Sequence, residues 1–344
     1  MESFCIRVPK KDGEKTRLEL IALGALDKNL KIKPDGDTLL LPVTRQITGF
    51  GDMEKEDFEV FEKEETVADI LGFSPSYEQI GDIVVIDRHE PEAQQIADAL
   101  IKQKKIKTVV VAETSVSGEF RTRELSILAG EKRTETLYSE NGCRYSIDLA
   151  RVYFTPRLST ERMRIANQVK DGDLVVDMFA GVGPFSILIA KRNPASHVIA
   201  IDKNPDAIKY LKKNIKLNKI GNVEIREGEA KEAVKGISGS DHIIMNLPHS
   251  GLEFLEAALQ AIKNGGIIHF YAISHEDDLF DGILKKIEDI ARQLNLLITP
   301  LDRRIVRPYA PYQYNICIDF QVTTAASTGR QEARSAGTVA QPTH

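Results

Sequence analysis

The stretch from Leu174 to Phe185, Leu-Val-Val-Asp-Met-Phe-Ala-Gly-Val-Gly-Pro-Phe, is compatible with very few folds. Leu174-Val175-Val176 is short, apolar and mostly β-branched, as suits a strand buried on both faces of a parallel sheet. Asp177 closes that strand. Gly181 and Gly183 then form a turn whose missing Cβ atoms let backbone approach a ligand closely. Pro184 opens a helix, a position that tolerates proline because the first helical N–H has no partner there. His197 to Ile201 reads as the next strand, with Asp202 at its end. In open parallel α/β sheets ligands sit beyond the carboxyl ends of strands, where an acid can hydrogen-bond a ribose.

The pattern also narrows which ribose-bearing ligand fits. A dinucleotide fingerprint needs G-x-G-x-x-G to seat a pyrophosphate, and Ser186 stands where the third glycine would fall. The Gly-Lys-Ser/Thr of a phosphate-cradling loop is absent from this turn. A carboxylate at Asp177 would repel a pyrophosphate, but it suits the ammonium group of S-adenosylmethionine. The nonamer Asp177–Phe185 followed by Asp202 resembles the first motifs of class I S-adenosylmethionine-dependent methyltransferases. That resemblance puts Asp202 on the ribose and makes Asp177, Phe179, Gly181, Gly183, Lys203 and Asn204 further candidate cofactor contacts.

At 344 residues the chain has room for about two or three domains with a full core. A net charge of −5 and an isoelectric point near 5.9 give no global nucleic-acid signature, so any polyanion-binding surface must be local. Cys5, Cys143 and Cys317 lie far apart without a C-x-x-C, which argues against a metal centre or a disulfide framework. The start, Met-Glu-Ser-Phe-Cys, lacks a basic and then apolar leader, and no apolar run approaches membrane-spanning length. The expectation is a soluble cytoplasmic protein with no membrane partner.

The alternation of elements continues on both sides of this motif. Pro205 to Asn218 is a lysine-rich helix, Asn222 to Arg226 a strand ending near Glu229, and His242 to Met245 a buried strand leading into Asn246-Leu247-Pro248-His249. A helix is expected near Gly251–Lys263, a strand over Gly266–Ile273 and a helix over Glu276–Asn295. Leu297–Arg307 and Tyr314–Val322 form an antiparallel pair joined through Pro308-Tyr309-Ala310-Pro311. Residues 1 to 62 read as a small unit with a strand (Phe4–Val8), a helix (Lys15–Leu26) and a hairpin-like pair around Pro34-Asp35-Gly36-Asp37. Asp52 to Glu65 is acid-rich and reads as a linker, to about residue 66, with a short edge element. Residues 67–150 form an α+β unit with strands at Gly81–Asp87, Thr108–Val111, Thr134–Tyr138 and Arg144–Asp148 and a helix at Pro91–Gln103. Residues 151–324 hold the cofactor motif, and 325–344 read as a disordered tail or tag.

Several segments together resemble one specific family, the archaeal/eukaryotic-type tRNA (guanine-37-N1)-methyltransferases. They are Gly118-Glu119-Phe120-Arg121-Thr122-Arg123-Glu124-Leu125, Leu128-Ala129-Gly130-Glu131, Tyr153-Phe154-Thr155-Pro156-Arg157-Leu158, Asp177–Phe185, Asn214-Ile215-Lys216-Leu217-Asn218, Met245-Asn246-Leu247-Pro248 and Tyr309-Ala310-Pro311. The resemblance is close over roughly residues 67–322 and loose before that. It implies a seven-stranded doubly wound α/β domain, Rossmann-like and of the class I methyltransferase type, preceded by two small α+β domains. It also implies a monomer that binds tRNA, not DNA, at the anticodon stem-loop and the outer corner, the latter through the N-terminal unit.

By the same resemblance Glu161 is the general base and Arg121 stabilises the substrate. Guanine N1 carries a proton that must leave as its lone pair attacks a methyl group, and a partly desolvated carboxylate is a suitable acceptor. Negative charge then moves to O6, where a guanidinium can donate hydrogen bonds. Asn246 would hold the base edge, Arg162 would lie against the cofactor, and Glu229, Ala230, Asn246 and Pro248 would complete the cofactor contacts. Arg121, Arg123, Tyr153, Arg157 and Arg307 are the expected tRNA contacts. More basic patches lie at Lys102–Lys107, Lys132-Arg133, Lys203 to Lys219 and Arg303-Arg304. The bare residue chemistry also allows a helix-capping role for Ser159 or Thr160, with Glu161 answering the helix dipole.

Two positions depart from the family pattern: Glu229 stands where an aspartate is usual, and His249 where lysine is frequent. The Asn-Leu-Pro-His sequence disfavours adenine N6 methylation, and cytosine C5 chemistry lacks a cysteine nucleophile in such a loop. The alternatives are an aminocarboxypropyl transferase of the wybutosine pathway on the same fold, or a non-catalytic tRNA-binding protein.

Overall fold

The computed structural model describes residues 1–50, 53–61, 65–114 and 118–325. The tail and parts of the acid-rich stretch therefore lie outside the described residues. The chain divides into a unit spanning Met1–Pro75 and a larger one that begins at Ser76.

In the first unit, strands Lys33–Asp35, Thr38–Val43, Glu2–Pro9 and Met53–Asp57 form an antiparallel sheet in that order. Ile6, Val8, Leu41 and Val43 bury against Leu20 of the helix Gly13–Ala22. That helix stops short of the expected Leu26, which instead bridges Val43. The edge element of the acid-rich stretch is the strand Met53–Asp57, and its charged side chains suit an edge that must not recruit another strand.

The second unit opens with a mixed sheet in the order Glu78–Ile80, Ile83–Asp87, Thr108–Ala112 and Leu125–Gly130, its two middle strands parallel. A hairpin, Glu135–Glu140 with Cys143–Asp148, follows. Of the two outer strands, one is only three residues long, and the other, Leu125–Gly130, is apolar in sequence yet largely solvent-facing.

Next come the helix α1 (Ser159–Ala166) and the alternating elements β1 (Leu174–Asp177), α2 (Pro184–Arg192), β2 (His197–Asp202), α3 (Pro205–Leu217), β3 (Val223–Glu227) and β4 (Ser240–Met245). The strand β5 (Ile262–His275), helix α4 (Asp281–Gln293) and strands β6 (Leu296–Ala310) and β7 (Gln313–Thr324) complete the unit. The seven strands lie in the order β3-β2-β1-β4-β5-β7-β6, parallel except for β7. Val175 and Val176 of β1 are wholly buried, each on an opposite face. Helices α1, α2 and α3 cover the face of Val175, while α4 and the helix Leu255–Ala261 cover the other.

Boundaries in the seven-stranded part also differ from expectation. The helix expected over Gly251–Lys263 ends at Ala261, because Ile262 already pairs with Ser240 at the start of β5. The helix expected over Glu276–Asn295 is a single 3-10 turn, Glu276–Asp278, followed by α4. The antiparallel strands run through Ala310 and resume at Gln313, so the turn is Pro311-Tyr312, with Tyr312 at φ 60°.

The hairpin is sewn to α3 by two asparagines one helical turn apart. Asn214, wholly buried, accepts from the Ser146 amide at 2.7 Å and donates to the Ser146 and Val182 carbonyls at 3.1 Å. Asn218 accepts from the Arg144 amide at 2.9 Å and donates to its carbonyl at 2.6 Å. Asn214→Ala leaves several buried backbone groups unpaired and should cost about 3 kcal/mol, read as a lowered urea midpoint with unchanged slope. An unchanged midpoint would show that these bonds are replaceable by water.

Candidate active site

The carboxyl ends of β1, β2 and β4 open on a cavity of about 420 Å3, in the range of small-molecule sites. Phe179, Gly181, Asp202, Lys203, Asn204, Glu229, Ala230, Asn246, Arg121 and Tyr153 all line it. Of the residues expected there, Asp177, Gly183, Pro248 and Arg162 are not among the lining residues.

Gly181 has φ +57°, and a Cβ added to it would meet nothing nearer than the Tyr153 carbonyl at 4.0 Å. Gly183 is glycine for another reason. At φ +89°, its Cβ would sit 2.4 Å from Leu211 Cδ1, so this residue serves the packing of α2 against α3. Asp177 is buried, accepts from Ser186 Oγ at 2.7 Å, and keeps its other oxygen without a partner among the described residues. Burial pushes its pKa up to about 6, opposed by the hydrogen bond from Ser186.

Asp202 accepts from the Gly181 amide at 2.7 Å and from the Asn204 amide at 2.9 Å, one on each oxygen. Each oxygen keeps a second lone pair for a donor in the cavity. Burial raises its pKa, against the pull of those amides. Lys203 Nζ contacts Glu119 at 2.9 Å and Glu229 at 3.4 Å, joining the Gly118–Phe120 segment to the turn after β3. Asn204 caps α3 through the Asp206 amide and holds the Arg151 carbonyl at 3.1 Å.

Asn246, Leu247 and His249 form the rim beyond β4. Pro248 contributes backbone: its carbonyl accepts from the Ile273 amide at 3.1 Å. His249 packs edge-on against Tyr309, with ring centres 5.3 Å apart. Burial, helped by the charge of Arg121, lowers its pKa, so its imidazole is neutral at physiological pH.

A second cavity, of about 380 Å3, shares Arg121 and Tyr153 with the first. Arg123, Arg157 and Arg307 also line it, so all five expected tRNA contacts meet here. Glu78 is the one carboxylate among the lining residues, 3.7 Å from Arg123 and 3.3 Å from Arg157. The Arg307 Nε is buried with no hydrogen-bond partner among the described residues. Four guanidinium groups around one carboxylate make an anion-binding surface. Arg121 has φ 55°, a strained backbone for a non-glycine residue, and its guanidinium lies 6.0 Å from the Tyr153 ring centre.

Glu161 stands in the first turn of α1, is 7 % exposed, and is not among the residues lining either cavity. It accepts from the Tyr271 hydroxyl at 2.9 Å and from Arg164 Nε at 3.0 Å on both oxygens. Arg162 is committed to the interior: it pairs with Glu140 at 2.6 Å, donates to the Thr155 carbonyl at 2.7 Å and lies over the rings of Phe154 and Phe185. Neither Ser159 nor Thr160 caps α1. Thr155 instead accepts from the Arg157 amide, opening the 3-10 turn Pro156–Leu158 that feeds the helix.

Among the expected basic patches, Arg133 is paired with Asp82 and Glu131, Arg303 with Asp281 and Arg304 with Asp302. Lys209, Lys212, Lys213 and Lys216 line an open groove on α3. Sequence reasoning missed Glu78, Phe254, Tyr271 and Arg164. Of these, only Arg164 carried a signal, its i,i+3 spacing from Glu161.

Residues 136–299 match the TRM5/TYW2 methyltransferase domain, residues 5–51 the tRNA methyltransferase 5 N-terminal domain and residues 62–134 the TYW2 N-terminal domain. The chain is 44 % identical over 334 residues to tRNA (guanine(37)-N(1))-methyltransferase Trm5b of Pyrococcus abyssi, covering 93 % of this chain and 99 % of that one. It is 33 % identical over 250 residues to a tRNA(Phe) (4-demethylwyosine(37)-C(7)) aminocarboxypropyltransferase of Methanocaldococcus jannaschii, covering 71 % of this chain and 96 % of that one. Among solved structures it resembles aTrm5 in complex with tRNALeu, with TM-score 0.67 and 37 % identity over 92 % of this chain and 99 % of that one. The chain belongs to the TRM5/TYW2 methyltransferase family.

Proposed function

We propose that the protein methylates N1 of guanine 37 in tRNA, with S-adenosylmethionine as donor. One observation carries this reading: a ribose-competent acid (Asp202) and a base-edge amide (Asn246) share a cavity that Arg121 and Tyr153 join to a four-arginine pocket.

The residues present fit the cofactor. Gly181 leaves open space where a side chain would stand, Asp202 has free lone pairs, and the ring of Phe179, held edge-on by Phe254 at 5.1 Å, offers an apolar wall. Asp202 would accept from the ribose hydroxyls, with Lys203, Asn204, Glu229 and Ala230 around the nucleoside and the unpartnered oxygen of Asp177 beneath. Bound there, S-adenosylmethionine supplies an electrophilic methyl carbon on a sulfonium sulfur, which keeps the C–S electron pair.

The four arginines would hold phosphates of the anticodon loop, and Tyr153 offers a face for the flipped base, whose extrusion costs a few kcal/mol. Glu161 takes the N1 proton as the N1 lone pair forms the new N–C bond, exchanging a hydrogen bond from Tyr271 or Arg164 for the guanine N1–H. Arg121 donates to O6, where negative charge collects, and Asn246 orients the base edge. The N-terminal unit would contact the outer corner of the tRNA. The enzyme would work as a monomer in the cytoplasm.

A second reading has its own support: residues 62–134 match the TYW2 N-terminal domain, and aminocarboxypropyl transfer uses the same cofactor. Methylation is favoured because the Trm5b relative aligns over 93 % of this chain, against 71 % for the aminocarboxypropyltransferase. The test incubates the protein with S-adenosylmethionine and unmodified tRNA transcripts carrying G or A at position 37. Digestion should yield 1-methylguanosine from the G37 transcript alone. A product heavier by an aminocarboxypropyl group, or none, would overturn the proposal.

A further inference from the structure

Behind α1, a line of buried polar side chains runs across the sheet. Arg164 bonds Glu161 through Nε and one terminal nitrogen, and reaches Asp319 of β7 through both terminal nitrogens. Asp319, 2 % exposed, also accepts from His269 Nδ1 at 2.8 Å, Gln168 Nε2 at 3.1 Å and Cys317 Sγ at 3.3 Å. His269 Nε2 lies 3.0 Å from His242 Nδ1, with the two rings stacked at 5.3 Å, and His242 Nε2 is 3.4 Å from Asp173.

An ionised Asp319 only accepts, so His269 donates to it through Nδ1–H. The buried cluster places one guanidinium, Arg164, between two carboxylates, Glu161 and Asp319, with His269 and His242 beyond Asp319. Tyr271 and Cys317 are the other titratable groups facing Glu161, and burial raises both well above their usual values, so they stay protonated. Asp302 of β6 lies 3.8 Å from Arg164 on the partly exposed side, and Arg304 neutralises it.

The two carboxylates are not equivalent. Asp319 collects donors from Arg164, His269 and Gln168, and the imidazole and guanidinium hold its pKa far below the usual range. Glu161 has Arg164 and the Tyr271 hydroxyl. Asp319 is thus held by more donors than Glu161, and without the Glu161 charge the cluster keeps a matched Asp319–Arg164 pair.

We propose that Asp319 is a positioning residue for the reaction: it shares the Arg164 guanidinium with Glu161, divides that cation between two carboxylates and so leaves Glu161 able to accept the guanine N1 proton. This rests on the reading of Glu161 as the base. The atoms balance within the step already given: the N1–H bond breaks, its proton lands on a Glu161 oxygen, and N1 bonds the methyl carbon while the C–S pair stays on sulfur.

The test is the pH dependence of single-turnover methylation of a G37 transcript by the full chain at saturating S-adenosylmethionine. Asp319→Asn removes the competing anion, so the acid limb should move to lower pH by about one unit and the plateau should fall about tenfold, as for a weaker base. Arg164→Met removes the cation, so the limb should move to higher pH. Asp319→Glu should restore much of the normal profile. A merely structural role would lower the rate in all variants without moving the limb. An unmoved limb, or shifts of the same sign in Asp319→Asn and Arg164→Met, would overturn the inference, and the upward shift in Arg164→Met tests it even if Asp319→Asn fails to fold. Glu161→Gln separates the two claims. If that variant keeps its rate, the base assignment itself is wrong. If it is inactive while the limbs stay put, only the role of Asp319 falls.

Discussion

Replacing Glu161 with glutamine should lower the single-turnover rate of guanine methylation by about a thousandfold, within the span a positioned base contributes. The dissociation constant of S-adenosylhomocysteine should stay the same. Glutamine keeps the shape of the side chain, and its amide oxygen can still accept from the Tyr271 hydroxyl and from Arg164, although its NH2 gives up the second bond from Arg164. What it cannot do is take a proton. The competing assignment is His249, which lines the first cavity and is held neutral by burial and by Arg121. His249→Ala should cost less than about tenfold, below what removal of a general base usually costs. The reverse ranking, with His249→Ala dead and Glu161→Gln active, would move the base to the imidazole.

Changing Asp202 to asparagine should weaken S-adenosylhomocysteine binding by about a hundredfold. Two hydroxyl donors to a charged acceptor are each worth about 1.5 kcal/mol, and together those convert to that factor. The loss has a second source. Asp202 is clasped by the Gly181 and Asn204 amides, one on each oxygen, and an amide NH2 would point a donor at one of them. Titration calorimetry on the apoprotein measures this directly. An unchanged dissociation constant would remove Asp202 from the ribose. A falling rate at saturating cofactor with intact affinity would place its function in the turn rather than in binding.

The parallel strands were legible because burial on both faces writes itself into sequence as unbroken β-branched runs such as Val175-Val176 and Val198-Ile199. The cavity was legible at the ends of those strands, where Gly181, Asp202 and Asn246 have chemistry that strand packing does not require. The surroundings of Glu161 were not. Tyr271 lies 110 residues away in sequence and Asp319 lies 155 beyond Arg164, and only the pairing of β5 with β7 brings them together. Gly183 was misleading for a related reason: a steric need against Leu211 looks, in sequence, the same as a ligand's need for bare backbone. Arg162 was equally opaque, since a buried ion pair with Glu140 and an exposed cofactor contact ask for the same residue type. Long elements were overrun or cut short where tertiary pairing decides, as at Ile262, where an apolar residue that could end a helix begins a strand instead.

The paired amides of Asn214 and Asn218 have a practical corollary for anyone dissecting this chain. A fragment starting at Arg151, where composition suggests a clean cut, would discard the partner of both side chains. It would strip the backbone of Arg144 and Ser146 from the flank of α3 and uncover the apolar surface that Tyr145 and Ile147 occupy in the interior. Such a piece would carry an adhesive wound rather than a natural edge. Expression designs that respect the molecule should begin upstream of the hairpin, so that Arg144 and Ser146 stay with α3.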